Sequence, residues 1–281
     1  MKKLNVGIIL TVFCIVISNI IVLQPLVKAD EPVLTLTYGD EHLYYTLNDL
    51  LAFDSITGNG GRLKVTGEVI PPNEYTGVLI TTLAQEFTDM SSRYSVTAIA
   101  SDGYIVNYTS DEIQGEIMVY DMNGTEVGIG GVNMIIATME NGLTNYSGSL
   151  RIAFVNDDEP ITMSYLWAKY VVELKFIPPP AVTITKPEKA IYLSDKKLIS
   201  FPFTIIIGAI TIDAEMNTNL GISRVVFTIN DEIKYETNSS ASTYTWLWDE
   251  RAIGFYTINV TAYDNIGNVN TALQKVFILH R

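Results

Sequence analysis

Few residues of this chain could carry out chemistry, and they are widely spaced. Only two histidines occur, His42 and His280, and neither lies in a metal-binding spacing such as His-Glu-Xaa-Xaa-His. The single cysteine, Cys14, lies inside an N-terminal apolar run. The chain that follows this run therefore has no disulfide, no thiol nucleophile and no thiolate metal ligand.

The sequence motifs of several common enzyme classes are absent. There is no nucleophile elbow, no phosphate-binding loop ending in Lys-Ser/Thr and no dinucleotide fingerprint. A hydrolase with paired carboxylates would need no motif, and no acid pair stands out. Acidic groups at residues 157–159 and 264–265 have oxygen ligands suited to calcium, but they lack the EF-hand pattern and equally fit solvated loops. We expect no catalytic residue and no metal site.

The local group of most chemical interest is Asp102, Gly103 and Tyr104. Asp-Gly is a hairpin turn signal, and here it brings an acid beside an exposed aromatic residue. The elements around this group are predicted from hydrophobic periodicity and from capping and turn signals. They are a strand over 30–37, a helix over 45–53 with Thr46 and Asp49 as a capping box, a glycine-rich loop over 55–62, a strand over 62–69, a helix capped by Thr81 or Thr82 that ends near Phe87, strands over 94–100 and 104–108, a long surface excursion over 126–146, and strands over 149–155 and 165–176.

Residues 32–176 resemble the molybdopterin-binding fold of the sulfite-oxidase type. The resemblance rests on residues 45–51 (YTLNDLL), 74–80 (EYTGVLI), 100–104 (ASDGY), 148–152 (GSLRI) and 167–171 (WAKYV). It implies an α+β class, with mixed sheets and short helices, for residues 30–177. It also implies a cofactor cleft, which Asp102 and Tyr104 would line if they do more than form a turn.

The same resemblance assigns possible cofactor contacts to two basic residues. Arg151 and Lys169 fall where the family places residues that contact the pterin phosphate, although either could equally be a strand-end charge. Catalytic members hold molybdenum through a cysteine before the Tyr-Xaa-Gly-Val segment. Here that region, residues 60–67 (GGRLKVTG), has no cysteine. The family's metal chemistry is therefore in doubt, and we expect no cofactor, with molybdopterin as the alternative.

A proline-rich linker over 178–181 separates a second predicted domain, residues 182–281. Turn signals recur there every eight to twelve residues, which is typical of an all-β sandwich. The segments 221–229 (GISRVVFTI), 244–249 (YTWLWD) and 254–268 (GFYTINVTAYDNIGN) resemble immunoglobulin-like modules of secreted archaeal and bacterial proteins. Such modules space, dock or bind, and they carry no catalysis.

The N-terminus predicts export. Lys2 and Lys3 precede an apolar run over 6–23, so residues 1–29 are a cleaved signal peptide or a retained membrane anchor. Without Lys2, Lys3 and Lys28, 15 of the 18 basic residues remain against 31 acids, a net charge of −16. Such a charge repels phosphate backbones, which excludes nucleic acid as a partner. Glycosylation sequons in predicted turns begin at four asparagines: Asn107, Asn123, Asn145 and Asn238.

These observations predict an exported binding or adhesion protein of the cell envelope or extracellular space. Its partner would be a protein or a glycan at the cell surface, and its contact with membrane would be limited to the N-terminal segment. Two alternatives remain, a molybdopterin-dependent oxidoreductase with an atypical metal site and a domain that binds a small anion or a sugar.

Overall fold

The computed structural model describes residues 30–218 and 220–281, where strands take up 57% and helices 7% of the residues. This proportion fits an all-β, immunoglobulin-like class better than the α+β class predicted for the first part. The segments with helical patterns are only one or two turns long, and their apolar sides are covered by sheets. The predicted signal peptide or anchor lies outside the described residues. Within them, no helix has the length and apolar character needed to span a membrane.

The first part of the chain builds two sheets around one hydrophobic core. One has five strands in the order β2-β1-β12-β5-β6, and the other has seven in the order β10-β9-β4-β3-β11-β7-β8. The strands are β1 (Leu34–Tyr38), β2 (Glu41–Tyr45), β3 (Ile56–Leu63), β4 (Val69–Leu79), β5 (Ser95–Ala100), β6 (Ile105–Tyr108), β7 (Met118–Tyr120), β8 (Glu126–Ile129), β9 (Asn133–Glu140), β10 (Arg151–Val155), β11 (Ile161–Met163) and β12 (Val171–Ile177). The helices are α1 (Leu47–Ala52), α2 (Ile80–Ala84), α3 (Ser110–Ile113) and a 3-10 turn (Ser164–Leu166).

The short helices begin where local signals allow. The capping box predicted for α1 is confirmed: the Thr46 side chain accepts from the Asp49 amide, and the Asp49 carboxylate accepts from the Thr46 amide at 2.8 Å. The helix predicted before Phe87 is present as α2, but its predicted cap and end were wrong, since it begins at Ile80 without a side-chain cap and ends at Ala84. Its apolar residues are buried against the sheets, so tertiary packing sets its limits instead of a threonine cap.

Two segments predicted as irregular are strands. The glycine-rich segment 55–62 forms most of β3, and the excursion predicted over 126–146 contains β8 and the buried β9. The glycines mark close backbone approach instead of flexibility: a Cβ at Gly60 would collide with the backbone oxygen of Phe154, and one at Gly77 with that of Ile136. The predicted final strand over 165–176 is shorter than expected, because the 3-10 turn and a bridge at Lys169 precede β12.

The second part of the chain builds a three-stranded and a seven-stranded sheet, in the orders β13-β17-β20 and β15-β14-β16-β22-β21-β18-β19. Side chains from both sheets, among them Trp248 and Phe227, form one buried cluster, as a sandwich requires. The strands are β13 (Ala181–Lys186), β14 (Ala190–Leu193), β15 (Lys196–Ser200), β16 (Thr204–Ile207), β17 (Ile210–Asn217), β18 (Ile222–Ile229), β19 (Glu232–Thr237), β20 (Thr243–Trp248), β21 (Ala252–Asp264) and β22 (Val269–His280). The exact domain borders stay a prediction.

The two hydrophobic clusters belong to one compact unit, residues 31–281, and a buried polar contact links them. The Asn268 side-chain amide donates to the Ser95 hydroxyl at 2.9 Å and to the Asp264 carboxylate at 2.8 Å. Asp264 also accepts from the backbone amides of Ile266 and Asn268. Asp264 is 1% exposed and both of its carboxylate oxygens accept hydrogen bonds, so it does not lie in a solvated loop. It holds Asn268 in position against the first part of the chain.

We predict that Asn268→Ala lowers the free energy of unfolding by about 1–3 kcal/mol, because it leaves Ser95 and Asp264 buried without their partner. Chemical denaturation followed by tryptophan fluorescence measures the change. Asn133→Ala, at an exposed position of β9, is the control and should shift stability by less than about 0.5 kcal/mol. Equal stability of the two variants would contradict this role for Asn268.

Candidate functional site

Asp102 and Tyr104 lie in the tight turn between β5 and β6. The Asp102 carboxylate accepts from the Tyr104 backbone amide at 3.0 Å, and the Gly103 amide donates to the Ala100 carbonyl. The Tyr104 hydroxyl donates to the Tyr165 carbonyl at 3.2 Å. These contacts account for Asp102 as a turn residue and for Tyr104 as a link to the 3-10 turn.

Arg151 begins β10, and its side chain is only 3% exposed. One terminal nitrogen donates to the Tyr75 hydroxyl at 3.0 Å, and the other donates to the Ser147 carbonyl at 2.7 Å. The guanidinium carbon lies 5.6 Å from the centre of the Tyr75 ring and 5.4 Å from that of Tyr146. Cation–π attraction therefore adds to the hydrogen bonds that fix this buried charge.

Glu140, at the end of β9, is the acid that faces Arg151. Its carboxylate accepts from the Tyr75 hydroxyl at 2.8 Å and from the Asn73 side-chain amide at 2.9 Å, and it lies 3.7 Å from an Arg151 terminal nitrogen. Burial, together with the hydrogen bond to Glu140, raises the pKa of Tyr75. Tyr75 therefore stays protonated and links the cation to the carboxylate.

Lys169 lies beside Arg151, because the two residues form an isolated antiparallel bridge. Gly148 lies between their side chains with a φ of +88°, and a Cβ there would lie 2.7 Å from an Arg151 terminal nitrogen and 3.2 Å from the Lys169 Cβ. Only glycine fits both the conformation and the space. Burial lowers the pKa of Lys169, and the nearby charges of Arg151 and Arg62 lower it further.

Arg62, on β3, is the third cation and was not found by sequence reasoning. Its guanidinium lies 5.6 Å from the centre of the Trp167 ring, and that ring meets Tyr75 edge-on at 5.3 Å between centroids. Burial and the charge of Arg151 lower the pKa of Arg62. The only signal in the sequence was the alternating pattern after Gly61, which does not show that β3 and β4 bring Arg62 toward Tyr75.

We call Arg62, Arg151 and Lys169 the cationic cluster. Arg151 is fixed by internal contacts, whereas Arg62 is half-buried and Lys169, whose side chain is buried only in part, is the most exposed of the three. Within the described part of the chain, Glu140 is the acid whose charge the three cations share. The Arg151 Nε is buried and has no hydrogen-bond partner among the described residues. The cluster thus keeps an excess of positive charge, which an anion with several oxygens could satisfy.

The molybdenum part of a molybdopterin cofactor does not fit these residues. The segment where the family has its cysteine is β3, whose Gly60 and Gly61 pack against Phe154 and Ile161, and no residue after Cys14 supplies a thiolate. Among residues 30–218 and 220–281, no three histidine, cysteine or acidic side chains lie close enough to hold a metal. The basic residues suit a phosphate, so we derive no chemistry through the metal.

The four predicted glycosylation asparagines are exposed. Asn123, Asn145 and Asn238 lie in turns or connections. Asn107, however, lies in β6, so its placement in a turn was wrong, and its side-chain oxygen accepts from the Thr97 hydroxyl at 2.7 Å. Their modification stays a prediction.

Comparisons with known proteins add little to what this geometry indicates about the function of the chain. No protein-family model and no curated protein matches the chain. Among solved structures, the sulfane dehydrogenase SoxCD of Paracoccus pantotrophus, which has a sulfite-oxidase-like fold, is 14% identical over 84% of this chain and 68% of its own, with a TM-score of 0.37.

Two immunoglobulin- or fibronectin-like modules are also similar. They are the fibronectin(III)-like modules of Clostridium thermocellum CbhA, 20% identical over 35% of this chain and 96% of that chain with a TM-score of 0.28, and the CARDB domain of PF1109 from Pyrococcus furiosus, 17% identical over 37% and 98% with a TM-score of 0.25. Likeness at this level establishes neither the detailed fold nor a function for this chain.

We predict that the ε-amine of Lys169 titrates below its ordinary pKa of 10.5, because it is partly buried beside two other cations. Reductive methylation with a ¹³C label and an NMR titration, assigned with Lys169→Arg, would measure this pKa. Arg62→Gln should raise it, whereas Arg93→Gln, an exposed arginine paired with Asp111, should leave it unchanged. An ordinary pKa that does not respond to Arg62→Gln would mean that the cluster does not assemble.

Glu140→Gln should destabilise the fold by about 3 kcal/mol, because it leaves the Arg151 charge buried without its counter-ion. The free energy of unfolding, measured in urea, gives the size of the effect. In an Arg151→Met background the same substitution should cost less, since no buried cation remains. Additive effects of the two substitutions would contradict the proposed coupling.

Proposed function

We propose that this protein is an exported, non-catalytic binding protein whose first part binds a small anionic ligand at the cationic cluster. The observation that carries the proposal is the convergence of Arg62, Arg151 and Lys169 on a site where Glu140 supplies the opposing charge. The lowered pKa values of Arg62 and Lys169 mean that their charged forms are disfavoured there. A bound anion would relieve that cost.

The arrangement favours an anion with several oxygens. Arg151 cannot move far, since Tyr75, Ser147 and Tyr146 hold its side chain. The two more exposed cations, Arg62 and Lys169, approach from neighbouring segments and would supply charge-assisted donors. The chain as a whole has a net charge of −13, so it repels anions at long range. Binding would therefore depend on these specific residues.

A binding role fits the chemistry of the chain better than an oxidoreductase role. Redox chemistry of the sulfite-oxidase type uses a cysteine ligand, and the segment before Tyr75 has none. Export is supported by the basic and apolar N-terminal sequence, and the immunoglobulin-like second part suits attachment to a surface protein or glycan of the cell envelope. These attachments are part of the proposal.

Isothermal titration with inorganic sulfate and phosphate at constant ionic strength would test the site. We expect saturable binding that Lys169→Gln and Arg62→Gln each weaken about tenfold or more, because one charge-assisted hydrogen bond is worth about 1.5–3 kcal/mol. Arg93→Gln is the charge-matched control and should bind as the unaltered protein does. Absence of binding, or equal loss in the control, would refute the anion site.

The oxidoreductase alternative has a separate test. The protein purified from its own host would be analysed for molybdenum and, after denaturation, for a fluorescent pterin. Stoichiometric amounts of both would overturn the non-catalytic proposal, whatever the outcome of the anion titrations. Pterin without metal would instead identify the anionic ligand as a pterin phosphate.

A further inference from the structure

The seven-stranded sheet of the second part is apolar on both of its faces at one end. The inward side chains of Tyr192, Ile206 and Ile278 are buried in the sandwich core. The residues that alternate with them point outward and are also apolar. The sheet is mixed, since β14, β16 and β22 pair in parallel, and a sheet with one face in water would have polar residues on that face. The apolar outward side chains therefore need another explanation.

The outward side chains form two rows across neighbouring strands. Residues paired in a sheet point to the same face, so the pairing of the strands gives the rows directly. We call the nine residues the apolar grid: in the first row Ile199, Ile191, Ile205, Phe277 and Phe255, and in the second row Leu193, Ile207, Leu279 and Ile253. Lys196, which pairs with Leu193, ends the second row at the sheet edge.

Six of the nine residues of the apolar grid are exposed to solvent, and Ile191, Ile205 and Phe277 are half-buried. Phe255 is 79% exposed, Ile199 62% and Ile253 58%. Phe255 and Phe277 also pack edge-to-face, with 5.1 Å between their ring centroids. With roughly 200 Å² for a fully exposed large side chain, the grid presents an area on the order of 700 Å². The largest patch on a typical monomer is about 300–600 Å², so this one exceeds the usual range.

We propose that the apolar grid is the interface of a symmetric homodimer, formed by two copies that pack sheet face on sheet face. Its area is close to the roughly 800 Å² that each partner contributes to a standard interface. A flat row of similar aliphatic residues is complementary to itself, as a two-fold contact requires. Two copies of an acidic chain repel each other, and a contact made of nine uncharged side chains places least charge between them.

Charge at the margins selects one orientation of the two-fold axis. Lys196 lies at the β15 margin of the grid, and Asp249, which is hydrogen-bonded to His280, comes just before β21 at the opposite margin of the grid. An axis parallel to the strands lays the β15 margin of one copy over the β21 margin of the other. Lysine then approaches acid, and Ile205 and Ile207 of β16 lie at the axis. An axis across the strands would instead oppose the lysines to each other.

Sedimentation equilibrium of protein purified from a host that expresses the full chain would test the dimer. We expect a dimer whose Kd rises about 100-fold or more in Phe255→Asp, since a charge replaces the most exposed large side chain of the interface. Leu247→Asp, at a 52% exposed position of β20 in the other sheet, is the matched control and should stay dimeric. Circular dichroism confirms that both variants fold.

A second measurement fixes the axis. The chain after residue 29 has no cysteine, so Ile207→Cys would introduce a single thiol there. Under mild oxidation it should form a disulfide-linked dimer, whereas Ile253→Cys at the margin should not. A monomer at every concentration, a dimer unaffected by Phe255→Asp, or a monomer that sediments with liposomes would each overturn the proposal.

Discussion

The burial of Arg151 is the constraint on which the candidate site depends. A guanidinium at 3% exposure is tolerated only where its charge and most of its donors have partners. The partners come from separate segments: Tyr75 from β4, Glu140 from the end of β9 and Ser147 from the connection to β10. These strands are neighbours in the order β10-β9-β4. The pairing register of these three strands therefore places the partners around Arg151, and the buried charge of Arg151 in turn requires that register.

The internal contacts of Arg151 do not neutralise the whole cluster. Tyr75 is a neutral partner because its pKa is raised, and Trp167 faces Arg62 with a ring instead of a carboxylate. The aromatic side chains bring the cations close together and partly exclude water from them. Glu140 thus neutralises the cluster only in part, and the remaining positive charge is the physical basis of the proposed anion site.

Local signals in the sequence predicted local structure well, as the Thr46–Asp49 capping box and the Asp102-Gly103 turn show. They failed where a residue's meaning depends on a distant segment. The sequence predicts Gly60 as a loop residue, but in the structure the backbone of Phe154 packs against it. In the same way, Lys169 lies beside Arg151 through a backbone bridge, whereas Arg62 joins them through a strand register that no short motif encodes.

The apolar grid shows the same limit in the second part. Alternation along β21 and β22 predicts strands with one buried face, but both alternating sets of residues lack polar side chains or are aromatic over 252–256 and 276–279. The core of the sandwich accounts for one set only. The excess of apolar side chains becomes evident only when the inner face of the sheet is known. The outward set of side chains then has no partner within the sandwich. The excess charge of the first part and the excess apolar surface of the second part are both unpaired within a single chain. The proposed anion would pair with the first, and the proposed second copy would cover the second.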